Sequence, residues 1–337
     1  MSIVISEFMD DESVERLRLR FTTHYDPTLV DAPERLQALL PDALALIVRN
    51  RTRVDAALLK AAPKLKAVGR LGVGLDNIDL AECRARGIAV YPATGANARA
   101  VAEYVVAFSL VTLRGAYASS SAVAAGKWPR PELSEGREAG GKTLGLVGFG
   151  DIGQLTAKLA RALDLRVVAH DPAYPDDASL WSAQGVTPLS LKDLLSESDI
   201  VSLHLPLTES TRGLFGQKNL SRMKPSAILI NTARGAIIDE PALALEIKSG
   251  RLGGAVLDVY AQEPLPAGSP LAGLANVWLT PHIAGLSVIA ERVAAALDQH
   301  DGHGPTDNET ALPVASSLPQ ADGGGKSPSL FHVEGKA

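Results

Sequence analysis

The chain has 337 residues, 46% of them hydrophobic, and a formal net charge of −5 at pH 7. That length suggests about two domains with material for more than one core, and a modest charge without a long basic run argues against a nucleic-acid partner. A single cysteine, Cys83, excludes an internal disulfide framework and suits a reducing cytoplasm, where it reads as a structural residue.

Ser2 to Ser6 reads as a first strand, followed by a polar turn from Glu7 to Asp11 and a helix from Ser13 to Leu19. The start MSIVISEFMDDE lacks the basic and apolar regions of a signal peptide. A helix from Pro33 to Leu40 begins on proline, which suits a first helical turn. Strands from Leu44 to Val48, Leu65 to Arg70 and Ile88 to Tyr91 alternate with helices from Val54 to Ala61 and Leu80 to Arg86. Such alternation predicts a parallel α/β domain. Ala98 to Ala118 has helical apolar spacing and is expected to cross into a second domain. Glu103 and Arg114 interrupt it, and no run nears the ~18 apolar residues of a membrane span. Ala125 to Gly141 reads as a loop.

The stretch Lys142 to Asp171 is the most informative. Thr143 to Val147 is an apolar run suited to a buried strand, Gln154 to Leu163 has helical spacing, and Leu165 to Ala169 is a second buried strand. Between the first strand and the helix, Gly148, Gly150 and Gly153 form G-x-G-x-x-G. Asp171 follows the third glycine by 18 positions, against about 20 for a dinucleotide fingerprint. Gly148 allows the tight turn, Gly150 lets backbone approach a pyrophosphate, and Gly153 lets helix and strand pack closely. The helix N-terminus offers free N–H groups to phosphates. Asp171 can accept from both ribose hydroxyls and repels a 2′-phosphate, which favours NAD over NADP.

Beyond Asp171, helices are expected at Trp181 to Gln184, Ser190 to Ser196 and Glu240 to Ser249. Strands are expected at Ile200 to Leu205, Ala227 to Asn231, Gly254 to Leu257 and Val277 to Leu279. From Gln299 the sequence turns rich in Gly, Pro, Ser and Asp. Such a composition cannot bury enough apolar area to offset chain entropy, so 301–337 reads as a disordered tail. His300 and His303 there read as solvated residues, and no metal site is expected.

Ligands of open α/β sheets bind beyond the carboxyl ends of the strands. Gly72-Val73-Gly74, Arg234, Asp258 with Glu263, and His282 all follow predicted strands. Arginine, glutamate and histidine on one rim suit a 2-hydroxy acid or 2-keto acid. Arg234 can hold the carboxylate and polarise the carbonyl through its planar fork. His282 can give and take the proton, Glu263 can favour the charged imidazole, and the backbone amides of the Gly72–Gly74 loop can cradle the carboxylate. Arg49, Arg51 and Arg70 flank strand ends and Asn97 follows another. Extra cations there suit a substrate with a second anionic group, so Arg51, Arg70, Gly72, Val73, Gly74 and Asn97 are the candidate substrate residues.

The segments GRLGVGLDNID (69–79), VAEYVV (101–106), GLVGFGDIG (145–153), VSLHLPLTESTRGLF (201–215), MKPSAILINTARGAIIDE (223–240), GGAVLDVYAQEP (253–264) and LTPHIAG (279–285) resemble the D-isomer-specific 2-hydroxyacid dehydrogenases. The resemblance covers about 1–290. It implies an α/β fold of two Rossmann-like or flavodoxin-like parallel-sheet domains with the active-site cleft between them. The substrate domain would be 1–100 with 283–300 returning to it, and the NAD-binding domain 101–282, with hinges near 98–103 and 283–290. It implies Arg234, Glu263 and His282 as the catalytic set. It implies NAD contacts from the glycine turn with Asp151 and Ile152, and from Asp171, His204, Pro206, Thr211, Thr232 and Asp258. It also implies a cytoplasmic homodimer built largely through the cofactor domains. ISEFMD (5–10), LIVRNRTRVD (46–55) and PATGAN (92–97) look most like the sulfolactate dehydrogenases of this family, with phosphoglycerate dehydrogenases next. An NAD-sensing corepressor-like binding protein is the alternative from another class. One departure is that the long helix expected after the histidine loop starts at Val288 but gives way after Leu297 to the polar tail.

Overall fold

The computed structural model describes residues 2–93, 95, 97–115 and 119–285. The predicted return beyond Gly285, the helix from Val288 to Leu297, the tail, His300 and His303 lie outside these residues.

The first sheet holds β1 (Ser2–Ile5), β2 (Thr22–Tyr25), β3 (Ala43–Val48), β4 (Ala67–Arg70) and β5 (Ala89–Pro92), all parallel, in the order β2-β1-β3-β4-β5. Helices α1 (Asp11–Arg18), α2 (Pro33–Leu39), α3 (Ala56–Ala61) and α4 (Leu80–Ala85) connect its strands. Residues alternate between the faces of a strand, and the cores follow that rule. Val4, Leu46, Val48 and Val68 enter one cluster, while Ile3, Ile5, Ala45, Ile47 and Ala67 enter the other. Asp10, Asp55 and Asp79 cap α1, α3 and α4 by accepting N–H groups of their first turns.

Helix α5 (Ala98–Arg114) carries the chain to a second parallel sheet, as the apolar spacing predicts, and stops at Gly115 with φ +67°. Val105 and Leu113 bury against Leu144, Leu146, Ile230 and Val256 of that sheet. A short helix α6 (Ser120–Ala124) follows. The second sheet holds β6 (Thr143–Val147), β7 (Arg166–His170), β8 (Thr187–Pro188), β9 (Ile200–Leu203), β10 (Ile228–Asn231), β11 (Gly254–Leu257) and β12 (Val277–Leu279), in the order β12-β11-β10-β9-β6-β7-β8. Helices α7 (Asp151–Arg161), α8 (Ser179–Gln184), α9 (Leu191–Glu197), α10 (Gln217–Leu220) and α11 (Glu240–Lys248) cover it. Both faces are buried, so its strands are near-continuously apolar rather than alternating.

The chain thus forms two parallel-sheet α/β domains. Edge strands β2 and β8 and the short helices α6 and α10 carry no sequence signal. The residues of β2, Thr22–Tyr25, are mostly polar, and β8 is only Thr187–Pro188. They form because β1 and β7 offer them unpaired edges.

Phe149, inside the glycine turn, is fully buried and stacks on Trp181 with ring centroids 4.9 Å apart. Phe149→Ala is expected to destabilise the protein by about 3–5 kcal/mol, read as a lower urea midpoint in Trp fluorescence.

Candidate active site

In the second sheet β6 lies beside β9, and the connections from β6 to β7 and from β9 to β10 leave in opposite directions. The carboxyl ends of strands at such a switch point form a ligand crevice. A cavity of about 470 Å³ opens there, and its far wall is built by Arg49, Arg70, Val73 and Gly74 from the first domain.

The glycine turn forms the floor. Gly148 has φ +97°, and a Cβ there would come within 2.5 Å of the His204 carbonyl. A Cβ on Gly153 would come within 2.6 Å of the Gly148 carbonyl. Gly150 meets nothing within 4 Å, so a side chain there would enter the open cavity. The first intrahelical bond of α7 is Gln154 N–H to the Gly150 carbonyl at 2.9 Å. The amides of Asp151, Ile152 and Gly153 therefore stay available beside the cavity, at the positive end of the helix. Thr232 Oγ is buried on the same cavity with no partner among the described residues. Fixed amides, a bare glycine and an unpaired hydroxyl fit a dinucleotide.

The other expected cofactor residues divide. Pro206, His204 and Asp258 line the cavity. Burial pushes the His204 imidazole down to about 4, so it is neutral at pH 7, and its Nε2 lies 3.0 Å from Ser202 Oγ. Asp171 is not among the residues that line the cavity; it accepts N–H bonds from Phe149 at 2.7 Å and Ala173 at 2.9 Å, tying the end of β7 to the glycine turn. Thr211 is turned aside; its hydroxyl donates to the Pro206 carbonyl at 2.7 Å.

The opposite wall is cationic. Arg70 is 6% exposed, and its guanidinium is pushed down to about 10 by burial and by repulsion from Arg234 and Arg49. Burial also lowers Arg49, against the attraction of Glu7. The Nε–H groups of both arginines are buried without a described partner, as is Asn97 Oδ1. With Thr232 they make four unpartnered buried atoms, all on residues that line this one cavity. Arg234 donates through Nε to Asp76 and through Nη1 to the Ala233 carbonyl. A Cβ on Gly72 would overlap the Arg70 guanidinium, and one on Gly74 would overlap that of Arg234. A side chain at either position would have to displace an arginine head, and Gly72 also has φ +156°, which L residues rarely adopt.

Two sequence expectations shift here. The Gly72 amide bonds back to the Arg70 carbonyl at 2.8 Å, and Gly72 does not line the cavity. Val73 and Gly74 do line it. Arg51 pairs with Asp31 and lines a neighbouring cavity instead. Arg49 occupies the position expected of Arg51, because buried Glu7 accepts the amides of Arg49, Arg51 and Thr52 and so fixes the loop after β3.

His282 sits on the turn after β12 with φ +57°, a region β-carbon residues seldom adopt. The Asp258 carboxylate holds this turn. It accepts the amides of Ile283 and Ala284, each at 2.8 Å, and the Thr280 hydroxyl. Tyr104 of α5 completes the chain at 2.7 Å from Thr280 Oγ. Behind His282, Glu263 Oε2 lies 2.8 Å from Nδ1. Burial raises the Glu263 carboxyl, but the His282 hydrogen bond and charge, the Tyr260 amide and Arg234 together hold it below its ordinary range. It is therefore ionised at neutral pH. Asn50 Nδ2 stands 3.2 Å from both Glu263 Oε2 and His282 Nδ1. Among the described residues nothing bonds His282 Nε2, and His282 lines the cavity. The arrangement can hold an anion, and can move a proton at Nε2.

Arg234, Glu263 and His282 thus come together, with Arg70, Val73, Gly74 and Asn97 in the same crevice. Asn50 and Asp76 were not legible in the sequence. Each meets partners more than 150 positions away, and no local spacing signals that. Among the described residues no cluster suits a metal ion, and no helix is long and apolar enough to cross a membrane.

Residues 106–284 match the NAD binding domain of the D-isomer specific 2-hydroxyacid dehydrogenases. The chain is 50% identical over 285 residues to an (S)-sulfolactate dehydrogenase of Chromohalobacter salexigens, covering 85% of this chain and 92% of that protein. It is 45% identical over 265 residues to a D-3-phosphoglycerate dehydrogenase of Mycobacterium tuberculosis, covering 78% of this chain but only 49% of the longer relative. An NAD-dependent formate dehydrogenase from Staphylococcus aureus, solved in complex with NAD, superposes with a TM-score of 0.78 at 28% identity, covering 91% of this chain and 98% of that one. The fold, the cavity and these likenesses agree: the chain belongs to the D-isomer specific 2-hydroxyacid dehydrogenases, enzymes whose cofactor here is NAD.

Proposed function

We propose that this enzyme oxidises (2S)-3-sulfolactate to 3-sulfopyruvate. The observation that carries the substrate class is the pair of buried arginines, Arg49 and Arg70, which line the cavity, each with a buried Nε–H that has no partner among the described residues. A buried charge without partners is costly. A hydroxy acid with one carboxylate engages Arg234 and leaves these two unmatched. A sulfonate on C3 gives them their counter-charge. The 50% identical relative named for sulfolactate supports this choice over phosphoglycerate. The S label fits a D-type enzyme, since sulfur outranks the carboxylate in the naming rules and the same spatial arrangement changes letter.

The glycine turn with Asp151 and Ile152, and Thr232, would hold NAD, which would supply the acceptor for the hydride leaving C2 of the hydroxy acid. Arg234 and the amides of Val73 and Gly74 hold the carboxylate, and the Arg234 fork reaches the C2 oxygen. His282 Nε2 takes the hydroxyl proton, and returns it in the reverse direction. Ionised Glu263 stabilises the imidazolium that results. Asp171 accepts from the ribose hydroxyls and disfavours a 2′-phosphate. Asp258 acts on the reaction chiefly by holding the His282 turn.

NADH formation is the test, with both sulfolactate enantiomers, D-3-phosphoglycerate, D-lactate and D-glycerate offered to purified protein. The expected result is a strong preference for (2S)-sulfolactate. Arg70→Ala should lower kcat/KM for it by roughly 10–150-fold, as loss of a charge-assisted contact worth about 1.5–3 kcal/mol, while D-lactate turnover falls far less. Preference for phosphoglycerate would replace the sulfonate by a phosphate.

His282→Ala should lose about 10²–10⁴-fold in kcat and still bind NADH, followed by fluorescence. An NAD-sensing role predicts instead that NAD-dependent assembly and biological output survive that change.

Glu263 has a depressed carboxyl in the folded protein. Its charge is present above the ordinary carboxylate range and lost only as pH falls through the depressed value. Glu263→Gln removes this charge at every pH and disfavours imidazolium. Oxidation needs the neutral imidazole, so the acid limb of its pH profile should move down by about one unit, with kcat reduced.

A further inference from the structure

Asn50 is a residue of the first domain, on the loop just after β3, yet its amide contacts the Glu263–His282 pair of the second. Three groups converge within hydrogen-bond reach: Asn50 Nδ2, Glu263 Oε2 and His282 Nδ1. We propose that Asn50 is a positioning residue that reaches across the cleft to fix the tautomer of His282. This rests on the dehydrogenase reading, in which Nε2 must be free to take a proton from substrate.

The argument starts from the donor count. The Asn50 amide nitrogen can only donate, and a neutral imidazole has one N–H. If the imidazole proton sits on Nδ1, the ring and the amide both donate to Glu263, and both bonds are charge-assisted. If the proton moves to Nε2, the Glu263 carboxylate loses the ring's donation, and Nε2 can no longer accept a proton. By donating to Oε2, Asn50 keeps that oxygen facing Nδ1 at 2.8 Å, where a bare Nδ1 would set two acceptors against each other and a ring proton between them is favoured.

Water makes the second part of the argument. A cavity of about 520 Å³ opens on the far side of the pair, lined in part by Phe8, Arg51, Leu265 and Pro281. Asn50, Arg49 and His282 line both this cavity and the main one. Asn50 is therefore part of the partition between them. Glu263 and His282 also line the rear cavity, so without the Asn50 amide water takes its place as donor to Glu263, with no fixed direction. The other polar groups near the pair cannot substitute. Arg234 acts on Glu263 only through its charge. Asp258 is occupied by the His282 turn. Burial pushes the Tyr260 phenol up to about 12, and its hydroxyl donates to the Thr280 carbonyl at 2.8 Å.

Because Asn50 belongs to the first domain, the hold exists only while the two domains meet at this point. The proton acceptor is thus completed by the domain that recognises the substrate.

The test is ¹⁵N NMR of histidine-labelled protein with NADH bound, the His282 signals being identified by their loss in His282→Gln. At a pH where the ring is neutral, wild type should show Nδ1 protonated and Nε2 bare. Asn50→Ala should show exchange between tautomers. In steady-state assays Asn50→Ala should lower kcat roughly tenfold or more, with KM for the hydroxy acid changed by less than about threefold and NADH affinity kept. Asn50→Ser, which retains a hydroxyl donor, should recover part of the loss. Asn50→Asp adds a negative charge beside Nδ1 and should move the acid limb of the oxidation profile to higher pH. A wild-type ¹⁵N spectrum in Asn50→Ala, or a kinetic loss confined to KM, would overturn the inference. If Asn50→Ala fails to bind NADH, the spectrum and kinetics of Asn50→Ser decide by the same criteria. A wild-type protein that turns over none of the hydroxy acids would sink the substrate reading, while the tautomer spectrum would still decide this one.

Discussion

Three guanidinium groups, those of Arg49, Arg70 and Arg234, line one crevice, and among the described residues only that of Arg234 is paired with a carboxylate. Asp76 serves Arg234, and Glu7 spends its carboxylate on three backbone amides beside Arg49. Among the described residues Arg70 has no paired carboxylate, and its guanidinium is driven down to about 10 by burial and by its like-charged neighbours. Such a wall is stable only because both domains are held by cores that do not depend on it. Its unmet charge is a standing demand for an anion. The loop glycines follow from the same constraint, since Gly72 and Gly74 leave the space these guanidinium groups fill.

Facing that wall is a histidine held by geometry rather than by propensity. The left-handed backbone at His282 is unfavourable for a residue with a Cβ. It persists because Asp258 collects two amides and a hydroxyl from the turn around it, and Tyr104 braces that hydroxyl from α5. The helix that carries the chain between the domains is thus hydrogen-bonded to the turn that presents the imidazole. Glu263 and Asn50 approach the ring from behind, one from each domain. The loop that carries Arg49 also carries Asn50, so one segment contributes to the anion wall and touches the Glu263–His282 pair.

Much of this was readable from local pattern. Thr143 to Val147, the glycine turn and the strand leading to Asp171 were placed to within a residue or two, because burial on both faces forces continuous apolar runs and a φ of +97° at Gly148 demands glycine. Arg234, His282, Val73 and Gly74 all follow strand carboxyl ends, where ligands of such sheets gather, and all four line the cavity, whereas Gly72 does not. Where local pattern misled, the reason was a distant partner. Glu7 looks like part of a polar turn, but it is 4% exposed, buried by the amides it caps. Arg51 and Arg49 are indistinguishable in sequence, two basic residues flanking one strand. Asp31 draws the first outward and the crevice takes the second.

The sequence by itself determined what depends on neighbours along the chain: the alternation of strands and helices, the helix caps, the phosphate-binding turn, the acid after β7, and the types of residue at the rim. Those are set by steric limits on φ and ψ, by periodicity and by capping, all of which act over a few residues. Only the tertiary structure decided which rim residues meet. Sheet order placed β6 between β7 and β9 and so opened the crevice, and it set Asn50 against Glu263 from 213 positions away. It also decided which cations lose their partners on burial. Those outcomes turn on distances and desolvation between segments far apart in sequence, and no local pattern carries that information.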